Sequence, residues 1–210
     1  MALGKPGAFF IEREFFMNDN AKRFDELLLS TKRDGIEKLI DYLHTTDFYT
    51  APASTRFHSS YEGGLLQHSL NVYDMLSLMF KHEPWSKFGI PEETLIITAL
   101  CHDLCKANFY DVEMRNRKND RGQWEQYPFY IVNDQNPYGH GEKSAMIAAN
   151  FIKLSAQERY AIRWHMGFSE PQHNYQYVGK AMEMYPLVVA VHEADLEATY
   201  LLESEGQNGK

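Results

Sequence analysis

Residues 95–106 of the chain read LIITALCHDLCK. An apolar helical run, residues 95–101, leads directly into an ionisable pair, His102 and Asp103. Pro91, followed by two glutamates, is typical of a helix start, because proline suits the first turn and acidic groups suit the positive end of the helix dipole. An ionised carboxylate is costly to bury unless a cation or strong hydrogen bonds compensate its charge. The stretch therefore predicts either a hydrogen-bonded structural pair or a metal site.

Lys106 adds a positive charge close to this pair. On a continuous helix Lys106 follows Asp103 by three residues and His102 by four, so we expect the three side chains to share one face. A pair of metal ligands beside a cation suits an anionic substrate that is rich in oxygen atoms. The alternative interpretation of Lys106 is a solvated lysine at a helix end.

The two cysteines of the chain, Cys101 and Cys105, flank the same pair. We expect them to lie four residues apart on one helix, where a disulfide is geometrically poor. A thiolate metal ligand is one interpretation, and a small buried side chain, the commoner role of cysteine, is the other.

Four other ionisable residues lie at the ends or in the interiors of separate predicted helices: His68, His140, His165 and Asp195. Imidazole and carboxylate groups together suit zinc, manganese, iron and related ions, and helical bundles build metal centres from side chains on facing helices. His192 precedes Asp195 by three residues, so it is either a neighbour of a ligand or an ordinary packed or exposed histidine.

The rest of the chain predicts a mainly α protein, a helical bundle with one inserted β-hairpin. Apolar residues recur at helical spacing in four main stretches: 21–44 with a break near Gly35, 65–80, 140–151, and 186–202. Ser155 and Glu158 have the spacing of a capping box, which predicts a further helix start. At about 108–132, apolar and polar residues alternate, a turn-rich segment intervenes and an aromatic stretch follows, which predicts the hairpin.

Length and composition favour one domain. The 210 residues are 44% hydrophobic, enough for one substantial core. We expect a helical extension over about residues 1–55, a core over about 57–202 and a short disordered C-terminal tail. The net charge of −8 disfavours a broad basic surface for nucleic acid, and no apolar run reaches the length of about 18 residues that crosses a bilayer. A cytoplasmic location and no membrane partner are therefore expected, and the oligomeric state stays open.

Three motifs in order resemble HD-superfamily phosphohydrolases: GGLLQHS at 63–69, HDLCK at 102–106 and Ala-Asp at 194–195. The resemblance extends over about residues 57–202 and implies an HD-type helical bundle. The His-Asp-x-x-Lys form, with His140 and His165 after it, is similar to HD members that bind two metals, including cyclic-dinucleotide phosphodiesterases. It is also similar to the HD domain of bacterial 3′-to-5′ exoribonucleases, in which a histidine, here His58, precedes the Gly-Gly-Leu turn.

This sequence also departs from those relatives. The Gly-Tyr-Pro signature of the cyclic-dinucleotide branch is not evident, and no segment corresponds to the separate nucleic-acid-binding domain of the exoribonucleases. Cys105 stands where the motif usually has glycine, a small change in size that need not disturb the metal face.

The resemblance implies one or two divalent metal ions, whose identity among manganese, iron, magnesium, zinc, nickel and cobalt the sequence does not distinguish. One ion would be held by His68, His102, Asp103 and Asp195, and Asp103 would bridge to a second held by His140 and His165. Asp103 and Lys106 are the expected catalytic residues. The expected substrate-binding residues are Lys106, Arg56, His58 and Lys143.

The leading functional hypothesis is hydrolysis of a phosphoester, in a nucleotide or related small phosphorylated metabolite, by a metal-activated water. Three alternatives stay open: a 3′-to-5′ exonuclease or phosphodiesterase acting on short nucleic acid, a non-catalytic ligand sensor, and an oxygenase with a di-iron centre. The aromatic residues of the hairpin region either stack on a nucleobase or pack against the helices. They are Trp124, Tyr127, Phe129, Tyr130 and Tyr138.

Overall fold

The computed structural model describes residues 19–56 and 59–203. Most of the predicted N-terminal extension is therefore described, but residues 1–18, residues 57–58 with His58, and residues 204–210, most of the predicted C-terminal tail, lie outside the described residues. Among the described residues, no helix combines the length and hydrophobicity that crossing a membrane requires.

The described chain is mainly helical and carries one β-hairpin, as predicted. The helices are α1 (Asp19–Ser30), α2 (Ile36–His44), α3 (Gly64–Phe80), α4 (Glu92–Cys101), α5 (His140–Ala149), α6 (Ala156–Trp164), α7 (Tyr175–Met184) and α8 (Pro186–Glu197), and a π-helical turn, Ala198–Leu202, continues α8. The antiparallel strands are β1 (Tyr110–Lys118) and β2 (Trp124–Val132).

Helix α4 is the centre of the bundle. Every residue from Thr94 to Cys101 is buried, so the helix has no solvent-facing stripe. A helix that is apolar all round must be covered on every side. One part of the surrounding core includes Phe24 and Leu66, and another includes Leu76 and Val191. The apolar run that precedes His102 therefore holds that histidine in the interior of the protein.

Helix α6 begins with the predicted capping box. Glu158 Oε2 accepts a hydrogen bond of 2.7 Å from the Ser155 backbone N–H, and Ser155 Oγ accepts one of 3.4 Å from the Glu158 N–H. Glu158 is fully buried, and Arg33 donates to both of its carboxylate oxygens at 2.8 and 2.5 Å. This ion pair joins the turn between α1 and α2 to the start of α6.

The hairpin projects from the helical body. Its register runs from Tyr110 opposite Val132 at the base to Lys118 opposite Trp124 near the turn. Most of its residues are exposed, and the Trp124 side chain is 70% exposed. At the base, Tyr110 Oη donates a hydrogen bond of 3.1 Å to the Ala53 carbonyl oxygen.

Two parts of the helical prediction need correction. The helix that carries Cys101 ends at that residue, because Asp103 leaves the helical region (φ −112°, ψ 19°) and a 3₁₀ turn, Leu104–Lys106, follows. The prediction that both cysteines lie on one helix was therefore wrong, and both are free and buried. Residues 167–184, between the predicted helices, contain two 3₁₀ turns and α7, a helix that the sequence patterns did not predict.

Candidate metal centre

Six side chains from five helical elements meet inside the bundle. They are His68 on α3, His102 and Asp103 after α4, His140 at the start of α5, His165 at the end of α6, and Asp195 on α8. Their potential ligand atoms form three overlapping groups, and within each group the atoms lie within 4.8 Å of one another. The structure thus brings together all six residues that were expected to hold metal.

Two of these histidines owe their orientation to helix ends. His102 Nδ1 lies 2.7 Å from the Ala99 carbonyl oxygen, and His165 Nδ1 lies 2.7 Å from that of Ile162. The last carbonyls of a helix lack partners within it, and a carbonyl can only accept, so each Nδ1 carries the hydrogen. Each Nε2 therefore directs a lone pair towards the centre, the tautomer that metal-binding histidines commonly have.

The two carboxylate oxygens of Asp103 face different histidines. Oδ2 lies 3.4 Å from His102 Nε2 and 3.7 Å from His68 Nε2. Oδ1 lies 3.0 Å from His140 Nε2 and 3.6 Å from His165 Nε2. The residue is buried, and among the described residues Oδ1 receives no well-directed hydrogen bond in spite of the short distance to His140.

These contacts fit a divalent metal ion better than a closed hydrogen-bond network. His68 Nε2 and His102 Nε2 face each other at 3.3 Å, and His68 Nε2 is 3.2 Å from Asp195 Oδ1. Imidazole nitrogens and carboxylate oxygens thus converge in a buried space, an arrangement that a cation stabilises. Imidazole nitrogens and carboxylate oxygens are ligands that several divalent metals share, so this donor set does not select one of them.

The pKa values of the clustered histidines reflect how the centre balances its charge. Burial lowers the pKa of His68, but hydrogen bonds to Asp195 and Glu203 outweigh it and raise that pKa to about 9. In the same way, Asp103 and Cys105 outweigh the burial of His140 and raise its pKa to about 10. Burial, together with the neighbouring His102 and His140, lowers the pKa of His165 to about 3. Protons on two histidines thus compensate the carboxylates, and a bound cation would displace them.

A cavity of about 530 Å³ opens onto this centre. Its floor includes His68, Asp103, Lys106, His140, His165 and Asp195. Its walls come from residues 53–55, from the hairpin base, and from the segments after α6 and around the end of α8. The wall residues include Tyr110, Val132, Ser169, His192, Thr199 and Tyr200. The candidate metal ligands are therefore accessible to a small molecule from one side.

Comparison with protein families agrees with this geometry. The model of the HD domain family matches residues 65–199, well over half of the chain, and the match includes all six clustered residues. The chain belongs to the HD domain family. No curated protein and no solved structure matches it significantly. HD domains are generally metal-dependent hydrolases, and the family suggests phosphohydrolase activity.

Lys106 stands beside the candidate ligands of this HD domain. Its Nζ lies 2.7 Å from Asp103 Oδ2, and its side chain is 13% exposed to the cavity. The proximity was expected from a continuous helix, but the 3₁₀ turn produces it. Burial lowers the pKa of Lys106, but attraction to Asp103 outweighs it and raises that pKa above the ordinary value. The side chain is therefore a permanent positive charge.

Of the other expected substrate-binding residues, Arg56 and Lys143 do not line the HD cavity. Arg56 is exposed and follows the rim residues 53–55, but it does not line the cavity. Lys143 is buried and donates a hydrogen bond of 2.7 Å to Asp134, so a protein carboxylate already compensates its charge. His58 lies outside the described residues.

Two further side chains support the histidines of the HD centre. His192 lines the cavity, and its Nδ1 lies 2.7 Å from the His165 carbonyl oxygen. Cys105 Sγ lies 3.2 Å from His140 Nδ1. Among the residues that the structure covers, neither cysteine belongs to a group of potential ligand atoms. Cys105 is thus a buried neighbour of a candidate ligand, which agrees with the small buried side chain and not with the thiolate ligand.

Glu203 is a residue of this centre that no sequence pattern predicted. Its Oε1 accepts hydrogen bonds from His68 Nδ1 at 3.0 Å and from Asn71 Nδ2 at 2.9 Å. Its Oε2 accepts one of 2.8 Å from Ser59 Oγ. Glu203 lies one residue beyond the last predicted helix, and no spacing motif connects it with His68, so the sequence carried no signal for this contact.

Proposed function

We propose that this HD protein hydrolyses a phosphoester of a nucleotide or a related small phosphorylated metabolite, using two divalent metal ions. One observation carries the proposal: the buried Asp103 carboxylate turns one oxygen towards His68 and His102 and the other towards His140 and His165. A carboxylate with ligands on both sides is the arrangement expected of a residue that two metals share.

The remaining ligands divide between the two sides of Asp103. Asp195 lies with His68 and His102, and His140 belongs to the other side. His165 groups with His140 and also with His102 and Asp195, so it lies between the two ligand sets. Divalent ions held by these residues would activate water as a nucleophile near neutral pH and would neutralise negative charge on phosphate oxygens.

Lys106 gives the centre its selectivity for an anion. Because it stays protonated, it does not act as a base; it binds a phosphate oxygen as a point charge at the floor of the cavity. Asp103 holds Lys106 in place through their contact of 2.7 Å. The same carboxylate therefore organises both the metal ligands and the substrate-binding cation.

The shape of the site supports a small substrate. A cavity of about 530 Å³ is within the range of pockets that enclose small molecules. The chain has a net charge of −8, which disfavours long polyanions and leaves Lys106 and the metal ligands to attract a compact phosphate group. Tyr110 and Tyr200 on the walls offer aromatic surface to a base or a sugar.

The test uses the Asp103→Asn variant, with Asp120→Asn at the hairpin turn as a control that also removes one carboxylate charge. We expect purified wild-type protein to contain divalent metal and to hydrolyse phosphoesters in a screen of nucleotides and generic substrates. Asp103→Asn should lose metal and at least about 100-fold in activity, because it removes a shared ligand, whereas Asp120→Asn should retain both. Full activity in metal-free protein, or in Asp103→Asn, would refute the proposal.

A second candidate function, removal of nucleotides from the 3′ end of short nucleic acid, is favoured by the outer half of the hairpin. Residues 115–121 read RNRKNDR and are basic in an otherwise acidic chain, and Arg115 and Arg117 lie over the rings of Phe129 and Tyr127. Stepwise release of mononucleotides from an end-labelled oligonucleotide, weakened by salt, would favour this function over hydrolysis of small metabolites.

A further inference from the structure

The buried carboxylate of Glu203 joins three parts of the structure that are distant in sequence. Its hydrogen-bond donors are His68 and Asn71 from α3 and Ser59 from the loop before that helix. The Glu203 side chain is 3% exposed. It lies directly after the π-helical turn that extends α8, the helix that also carries Asp195. Glu203 thus brings the end of the described chain into contact with the candidate metal centre.

The contact with His68 determines which ring nitrogen faces the centre. Glu203 occupies the Nδ1 side, and Nε2 faces Asp103, His102 and Asp195. A carboxylate that accepts from the distal nitrogen of a histidine fixes the ring orientation and makes the other nitrogen a stronger ligand. His102 and His165 obtain their orientation from backbone carbonyls, so a carboxylate partner distinguishes His68 from both.

The contact with Ser59 reaches the rim of the cavity. The Ser59 carbonyl oxygen accepts a hydrogen bond of 3.0 Å from the Ala53 N–H, and residues 53–55 line the cavity. Ser59 has a positive φ of 46°, an uncommon conformation for a non-glycine residue, and its carbonyl packs closely against Gly64 at the start of α3. Hydrogen bonds thus connect Glu203, through Ser59, to the rim.

We propose that Glu203 is a positioning residue that holds His68 as a metal ligand and at the same time ties the cavity rim to the metal centre. The proposal rests on the proposed function, because it takes His68 to bind metal. The two oxygens divide the roles: Oε1 serves His68 and Oε2 serves the rim through Ser59. The two effects can therefore be separated by changing Glu203 and Ser59 one at a time.

The experiment compares Glu203→Gln and Ser59→Ala with wild-type protein and with Glu193→Gln, which removes an exposed carboxylate from α8. Metal-free proteins are titrated with Co²⁺. The visible absorption bands of the bound ion are recorded, and the dissociation constant is determined from them. Glu203→Gln should bind Co²⁺ about 10- to 100-fold more weakly and shift the bands, because it keeps the shape of the side chain but removes the charge behind His68. Glu193→Gln should match wild type.

Ser59→Ala is expected to bind Co²⁺ within about twofold of wild type, because it leaves Oε1 and His68 unchanged. Its KM should rise several-fold with little change in kcat, since it loosens the rim that contacts substrate. Should Glu203→Gln fail to fold, Asn71→Ala removes a donor from Oε1 without touching His68, and a severalfold loss of Co²⁺ affinity is expected.

The outcomes separate the two proposals. If wild-type protein binds no Co²⁺, the proposed function fails and the role of Glu203 fails with it. Suppose that wild-type protein binds Co²⁺ and that folded Glu203→Gln, or Asn71→Ala in its place, gives the same affinity and spectrum. The role of Glu203 is then refuted, and the proposed function is not affected. Equal losses in Glu193→Gln would also refute it, because the effect would then reflect charge on α8 in general.

Discussion

Asp103 shows how much one residue does in this centre. It leaves the helical conformation at the end of α4. Its two carboxylate oxygens lie close to four histidines, and it forms an ion pair with Lys106. Burial alone would raise the pKa of Asp103, but Lys106 and His102 lower it well below the ordinary value. The carboxylate is therefore ionised, which is the state that a metal ligand requires.

Replacing Lys106 by Met tests the cation separately from the metal ligands. We expect kcat/KM to fall by about 10²- to 10³-fold while the metal content stays at the wild-type level. The reason is that Lys106 is proposed to stabilise the negative charge of the phosphate and is not a metal ligand. Lys38→Met, at an exposed position of α2, is the control and should retain full activity. Loss of metal together with activity would show that Lys106 acts through Asp103 instead of on the substrate.

Sequence patterns identified the six clustered residues because each is an ionisable group in an apolar or helix-end setting. The same patterns could not identify Glu203, whose contact with His68 depends on the π-helical turn that follows α8. Nor could they show that Asp134 pairs with Lys143, because that contact depends on the path of the segment after the hairpin. Long-range pairing of charges is a property of the folded chain.

At the scale of elements, the ion pair between Arg33 and Glu158 should contribute to stability in a pH-dependent way. Burial raises the pKa of Glu158, but the hydrogen bonds from Arg33 outweigh it, so the pKa lies below the ordinary 4.5. Because the pKa is lower in the folded state, this contribution is complete above about pH 4.5 and is lost as the pH falls through the lowered value.

Glu158→Gln is expected to lower the free energy of unfolding by about 3 kcal/mol at pH 7, because it leaves the Arg33 charge without its partner. The difference from wild type should shrink as the pH falls below about 4.5, because protonation of Glu158 is then favoured in the unfolded wild-type protein and removes the same charge. Denaturant unfolding at several pH values measures both. A difference that stays constant down to pH 3 would contradict the account.

The hairpin is an element that we expect to contribute little to the stability of the helical body. Its strands are mostly exposed and bury little apolar surface against the helices. We expect that replacing residues 113–129 by a short Asn-Gly turn leaves the melting temperature within a few degrees of wild type and preserves metal binding. KM should stay within a few-fold of wild type, because Tyr110 and Val132, the hairpin residues that line the cavity, are retained. Failure of the shortened protein to fold would show that the hairpin is part of the core.

At the scale of the whole molecule, the bundle explains why the metal ligands come from distant parts of the sequence. The helix α4 is buried on all sides, and the helices around it turn His68, His140, His165 and Asp195 towards its C-terminal end. Hydrophobic periodicity predicted this architecture well, because most helices have a clear apolar pattern. It did not predict α7, which follows a segment rich in polar and aromatic residues and has few fully buried positions.

Anomalous diffraction from crystals of the Mn²⁺-loaded protein would test the proposed two-metal centre most directly. The account predicts two peaks about 3.5–4 Å apart, one on each side of the Asp103 carboxylate, with His68 and His102 near one and His140 near the other. A single peak that Asp103 does not contact, or no peak among these six residues in protein that hydrolyses phosphoesters, would contradict it.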